Sequence, residues 1–109
     1  MDVHIKNLPT GGIMTEQEIQ KQIISYLKLK NCLVFKHNNF GKIRGKFYHN
    51  TIGVSDIIGC DKTGKFIAIE VKKIGGKISK EQKEFLETVK RKKGIAILAY
   101  SVDDVIDRI

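Results

Sequence analysis

The run Phe66-Ile67-Ala68-Ile69-Glu70-Val71-Lys72 constrains what this chain can fold into more than any other part of it. Gly64-Lys65 opens the run and Lys73-Ile74-Gly75-Gly76 closes it, and its length and apolar density are those of a strand buried on both faces. Two charges interrupt it. Glu70 and Lys72 stand two residues apart, so on a strand they project from the same face. Charge held beside a core is costly unless each group meets a partner or a metal. The end of this strand is therefore where a functional site is expected.

The rest of the chain is read around that strand. At 109 residues it is one domain, able to build a single core without disulfide or metal staples. Lys and Arg total 20 against 12 Asp and Glu, leaving a net charge of +8 and a pI near 9.6. Such an excess points to a polyanionic partner, of which nucleic acid is the commonest. No apolar run reaches the roughly 20 residues needed to cross a bilayer, and no signal peptide is evident at the N-terminus, so a cytoplasmic protein with no membrane partner is expected. Cys32 and Cys60 lack paired spacing and read as free thiols rather than a zinc site or a disulfide.

Residues 1–13 have no period and contain Leu8-Pro9-Thr10-Gly11-Gly12, so they read as an N-terminal arm or extension before a domain spanning 14–109. Thr15 as N-cap and Glu18 three residues on form a capping box, and Ile19, Ile23 and Leu27 make the buried stripe of a first helix. Glu16 and Gln20 fall within roughly 40° of that stripe. Glu16 thus points inward, although the helix dipole alone also favours a carboxylate there. Cys32-Leu33-Val34-Phe35 reads as a strand, followed by a loop or ragged hairpin from Lys36 to Tyr48 that mixes Gly, Asn, basic and aromatic residues. Lys36, Lys42, Arg44 and Lys46 in that stretch are candidate phosphate contacts; His37 and His49 read as ordinary hydrogen-bonding or surface histidines.

A second strand is expected over Gly53 to Cys60, joined to the central one by the hairpin loop Asp61-Lys62-Thr63-Gly64-Lys65. With a five-residue loop, Cys60 faces Phe66, Ile58 faces Ala68 and Asp56 lies across from Glu70. Like charges so placed repel, and a divalent cation between them reverses the sign, because hard cations such as Mg²⁺ seek carboxylate oxygens. Ser79 opens a further helix with Gln82 at its capping-box position and Phe85, Leu86 and Val89 on its stripe. Lys90-Arg91-Lys92-Lys93-Gly94 supplies a basic last turn and a glycine stop. Ile95 to Tyr100 is a last strand, and Ser101 to Ile109 a short terminal helix. The fold class is α/β, with a mixed sheet flanked by helices.

An E-x-K tripeptide alone carries little, since Glu81-Gln82-Lys83 is another. In their context, however, Asp56, Glu70 and Lys72 match the D…(D/E)-x-K signature of the PD-(D/E)xK nuclease superfamily, with Ser55 where its name has Pro. The blocks Glu16-x-x-Ile19-Gln20, Gly53-x-Ser55-Asp56, Glu70-x-Lys72 and Ser79-x-x-Gln82 together resemble the virus-type replication-repair nuclease family, VRR-NUC, in its compact phage-like stand-alone form, from about Met14 to Tyr100.

That resemblance implies an αβββαβ restriction-endonuclease-like core with a short C-terminal helix. It implies that Asp56 and Glu70 bind Mg²⁺, with Mn²⁺ able to substitute, and that the Val71 carbonyl is a further ligand. Lys72 would act on the attacking water, Glu16 would hold a metal-bound water or a second cation, and Gln20 and Gln82 would line the site. Lys73, Lys77 and Lys80 join the expected DNA contacts, and no organic cofactor is expected. The activity implied is a Mg²⁺-dependent endonuclease acting on branched DNA such as Holliday junctions, as a homodimer, in phage or bacterial DNA repair or recombination. Two alternatives stand beside it: the same fold cutting flap or linear duplex DNA, and a non-catalytic basic DNA-binding module.

Overall fold

Thr15 starts the first helix, α1 (Glu16–Leu29), as its spacing predicts. The Thr15 hydroxyl accepts from the Glu18 N–H at 3.1 Å while the Glu18 carboxylate accepts from the Thr15 N–H at 2.8 Å. At the other end Asn31 turns left-handed, with φ +61°. The Asn31 and Cys32 N–H groups then reach back to the Lys28 and Leu27 carbonyls, closing a Schellman motif. Cys32 is thus still engaged by the helix, and β1 (Leu33–Lys36) begins one residue later than the apolar run suggests. The computed structural model describes residues 14–37, 42–43, 46–47 and 52–109. The expected arm, Arg44 and His49 lie outside these.

Within the hairpin stretch, β2 (Lys42–Ile43) and β3 (Lys46–Phe47) pair antiparallel. The side chains of Lys42 and Lys46 lie outside what is described. β4 (Ile57–Cys60) is shorter than expected, because Gly53 takes φ +88° and the chain bends at Asp56 before pairing starts. Asp61 organises the next turn: its Oδ1 accepts from the Thr63 and Lys65 N–H groups at 2.8 and 3.0 Å. These bonds hold its carboxyl below the usual range, the Thr63 hydroxyl contributing most.

β5 (Phe66–Val71) follows in the expected register, with Cys60 opposite Phe66 and Ile58 opposite Ala68. α2 (Lys80–Arg91) is opened by a second capping box, Ser79 with Gln82. It ends in another Schellman turn whose left-handed residue is Lys93, φ +71°, rather than the expected glycine. β6 (Ile95–Ala99) and α3 (Val102–Ile106) complete the chain, with Asp103 and Asp104 in the first turn of α3.

The sheet order is β1-β4-β5-β6, antiparallel except for β5 and β6, which the α2 crossover makes parallel. β5 is central and its alternation divides the core. Ile67, Ile69 and Val71 pack with Ile19, Ile23 and Leu27 of α1 and Val105 of α3. Ala68 on the opposite face packs with Leu86 and Val89 of α2. Glu70 shares the α2 face by the same period of two. The fold is the α/β mixed sheet with flanking helices that the pattern implies, and it delivers an acidic residue to the far end of its most buried strand.

Candidate active site

Glu70 is 1% exposed, the only carboxylate among the buried residues described. Three neighbours define its state. Asp56 comes from the bend just before β4, where continuation of the β4–β5 register puts it. Gln82 comes from the first turn of α2 and donates from Nε2 to Glu70 Oε2 at 3.0 Å. Lys72, two residues along β5, holds its Nζ 3.9 Å from the same oxygen, an ionic approach longer than a hydrogen bond. Glu70 Oε1 is buried without a hydrogen-bond partner among the described residues.

Burial is the first cause that pushes the Glu70 carboxyl up to about 8, from an ordinary 4.5. The Asp56 carboxylate close by adds to it, Lys72 opposes it, and Glu16 adds a smaller upward push. Two carboxylates placed together in a dry setting favour sharing a proton or a cation.

Each of these side chains is held from behind. Asp56 Oδ2 accepts from the Val71 N–H at 2.8 Å, and its carbonyl accepts from the His37 N–H at 2.6 Å. Asp56 is thereby tied both to the end of β5 and to the chain leaving β1. Gln82 does two things at once. Its Oε1 closes the capping box by accepting from the Ser79 N–H at 2.8 Å, while its Nε2 holds Glu70. Capping and site-lining, which compete as explanations in the sequence, are thus served by the two ends of one amide.

Gly53 brings these parts together. A side chain there would meet the Glu81 carbonyl oxygen at 2.7 Å, so only glycine lets the Asp56 segment lie against the start of α2.

Glu16 reaches the site from the other layer. It is half-buried, and its Oε2 accepts from the Lys73 N–H at 3.2 Å, just past the end of β5. Because α1 and α2 cover opposite faces of the sheet, Glu16 arrives at the rim from one side and Glu70 from the other. Among the described residues no three His, Cys, Asp or Glu side chains gather closely enough to hold a metal. The compact acidic unit is the pair Asp56 and Glu70.

Gln20 is buried on α1 with its Oε1 unpartnered, lining a hollow of about 340 Å³ with Thr15, Lys21 and Lys36. It makes no described hydrogen bond to Asp56 or Glu70. Lys36, Lys73, Lys77 and Lys80 are all exposed. Lys73 and Lys77 lie in the segment joining β5 to α2, and Lys80 is the first residue of α2. The sequence reading missed the part His37 plays through its backbone; the register of β1 on β4, Lys36 opposite Ile57, carries that information.

The donors suit a hard cation. Mg²⁺ is commonly held by one or two carboxylates and keeps several waters, so the Asp56–Glu70 pair fits without a third acid. The unpartnered Glu70 Oε1 is the observation that asks for such a partner.

A model of the VRR-NUC domain matches residues 17–103 of this chain. A solved structure described as a VRR-NUC domain superposes with a TM-score of 0.63 at 21% identity, covering 85% of this chain and 95% of its own. No curated protein matches.

Proposed function

The chain belongs to the VRR-NUC nuclease family, and on that footing we propose that it is a Mg²⁺-dependent DNA endonuclease that cuts branched DNA such as four-way junctions. The observation that carries the proposal is the buried Glu70 carboxyl facing Asp56 with one oxygen unpartnered, in a protein of net charge +8. A buried carboxylate such as Glu70, with its proton affinity raised and a second carboxylate facing it, is well matched to a divalent ion.

Asp56 and Glu70 would hold Mg²⁺, joined by the Val71 carbonyl. When bound, the ion supplies charge neutralisation at a phosphodiester oxygen and lowers the pKa of water at the site. The protein's own groups do the rest. Gln82 fixes the Glu70 carboxylate by its 3.0 Å bond, so that one oxygen is committed and the other is free to bind. The Val71 N–H fixes Asp56 in the same way. Lys72 places a positive charge beside Glu70, where it can orient an attacking water and stabilise negative charge developing on the phosphate. Glu16, bonded to the Lys73 N–H, holds the chain leaving β5 in position and orients water at the rim. Lys73, Lys77 and Lys80 would line the path of the DNA backbone.

Action on a junction as a homodimer is the further part of the proposal, and it rests on the resemblance to stand-alone family members. The test is a labelled four-way junction and its separate linear arms, incubated with and without Mg²⁺. Cleavage of the junction in Mg²⁺, and its loss in Glu70→Gln with the fold and DNA binding kept, is the expected result. Cutting by that variant at the wild-type rate would overturn the assignment of Glu70.

A further inference from the structure

The segment joining β5 to α2 carries a large aliphatic side chain that packs into neither core cluster of the described residues. Ile74 is 79% exposed, second only to Leu29 among the large apolar residues described, and it lies two residues beyond Lys72. Its position is built rather than loose. The Gly76 N–H donates to the Lys73 carbonyl at 2.8 Å, and Gly75 has φ +88°. These are the marks of a type II turn with glycine at its third position and Ile74 at the corner.

The turn's first residue and the residue before it are both pinned. The Lys73 N–H is bonded to Glu16, and the Lys72 N–H is bonded to the Ala99 carbonyl at 3.0 Å. Ile74 forms a ridge between two open hollows, one of about 620 Å³ with Glu16 and Lys73 on its wall, the other of about 690 Å³ with Lys77 and Tyr100.

An apolar corner raised between exposed lysines, next to a site for phosphodiesters, has one natural counterpart on DNA. Lysines hold phosphates, an aliphatic wedge enters between base steps and unstacks them, and an exposed aromatic ring such as Tyr100 offers a face to a displaced base. We propose that Ile74 is a wedge that enters the base stack beside the phosphodiester placed for cutting at the Asp56–Glu70 site. DNA whose stack is already interrupted by a branch, nick or bulge then reaches the cutting position more readily than continuous duplex. This deepens the nuclease reading above and rests on it for the identity of the ligand.

The decisive measurement separates unstacking from cutting. In the Glu70→Gln background, duplex and junction DNA carrying 2-aminopurine at successive steps are titrated with protein having Ile, Leu or Ala at position 74. Binding should raise the fluorescence of one step with Ile and Leu, and the rise should be lost in I74A. Because the side chain is exposed, the melting temperature of I74A should be unchanged. In the cleavage-competent protein, I74A should lower the ratio of junction to linear-duplex cleavage about tenfold, since without the wedge continuous duplex no longer bears an unstacking cost that branched DNA avoids.

An equal fluorescence rise in I74A, or an unchanged cleavage ratio, overturns the wedge and leaves the nuclease reading in place. Absence of cleavage of every DNA by wild-type protein in Mg²⁺ overturns the nuclease reading instead. The fluorescence comparison, which needs no cleavage, decides the wedge in either event.

Discussion

Replacing Glu70 by Gln should flatten the pH dependence of stability of the metal-free protein between about pH 5 and pH 8. The Glu70 carboxyl titrates at about 8 in the folded chain against 4.5 ordinarily. Between those values the native state holds a proton that the unfolded state has released. The contribution of Glu70 to stability therefore falls as pH rises through this window, is fully present below 4.5 and is lost above about 8. At roughly 1.4 kcal/mol per pH unit the interval amounts to about 5 kcal/mol as an upper bound. The unfolded chain and the partly solvated rim of the site take up part of the effect, so the expected loss is a few kcal/mol out of the roughly 5 to 15 kcal/mol that holds a domain of this size together.

Gln keeps the shape and a hydrogen-bonding end at that position and cannot ionise, and every other titrating group is common to the two proteins. Urea midpoints in chelator at pH 5, 6, 7 and 8, at constant denaturant slope, read the difference directly. Wild type should lose stability across the series while the variant does not, and Mg²⁺ should restore wild type at pH 8 through preferential binding to the folded state. Parallel pH profiles for the two proteins would refute the placement of a strained carboxyl at the end of β5.

Other consequences are equally open to measurement. Lys72→Ala should lower the cleavage rate by about 10²- to 10³-fold, in line with removal of a charge-stabilising donor. It should also move the Glu70 titration further upward, since Lys72 is the group that opposes the shift. Gly53→Ala should destabilise the protein by about 1 to 3 kcal/mol, because φ there is +88° and the added methyl meets the Glu81 backbone at 2.7 Å. Denaturation together with cleavage assays would show both properties falling, since the same contact aligns Asp56 with Gln82.

Much of the architecture was legible because local rules and the global pattern agree. Two capping boxes, at Thr15 and Ser79, announce both main helices, and the five residues from Asp61 to Lys65 pin the hairpin register that sets Asp56 opposite Glu70. What the residues alone could not convey depends on which layer a helix joins. The helical period turns Glu16 inward, but not toward Glu70, because α1 covers the face bearing Ile67 and Ile69 while Glu70 faces α2. The expected gathering of three acids is accordingly a pair with a third at the rim.

Strand ends were also hidden. The bend at Asp56 and the Schellman turn through Cys32 both shorten strands that the apolar runs extend. Gln82 shows the opposite case, in which two competing explanations hold together because the amide has two ends.

The central claim is that Asp56 and Glu70 form one cation site, and calorimetric titration of the metal-free protein with Mg²⁺ or Mn²⁺ at pH 7, in buffers of differing ionisation enthalpy, tests it most directly. A carboxyl titrating near 8 must surrender its proton when a cation takes its place. Wild type should bind with release of close to one proton per cation, and Glu70→Gln and Asp56→Asn should each lose the binding and the proton release together. Binding that releases no proton, or that persists undiminished in both variants, would contradict the site described here.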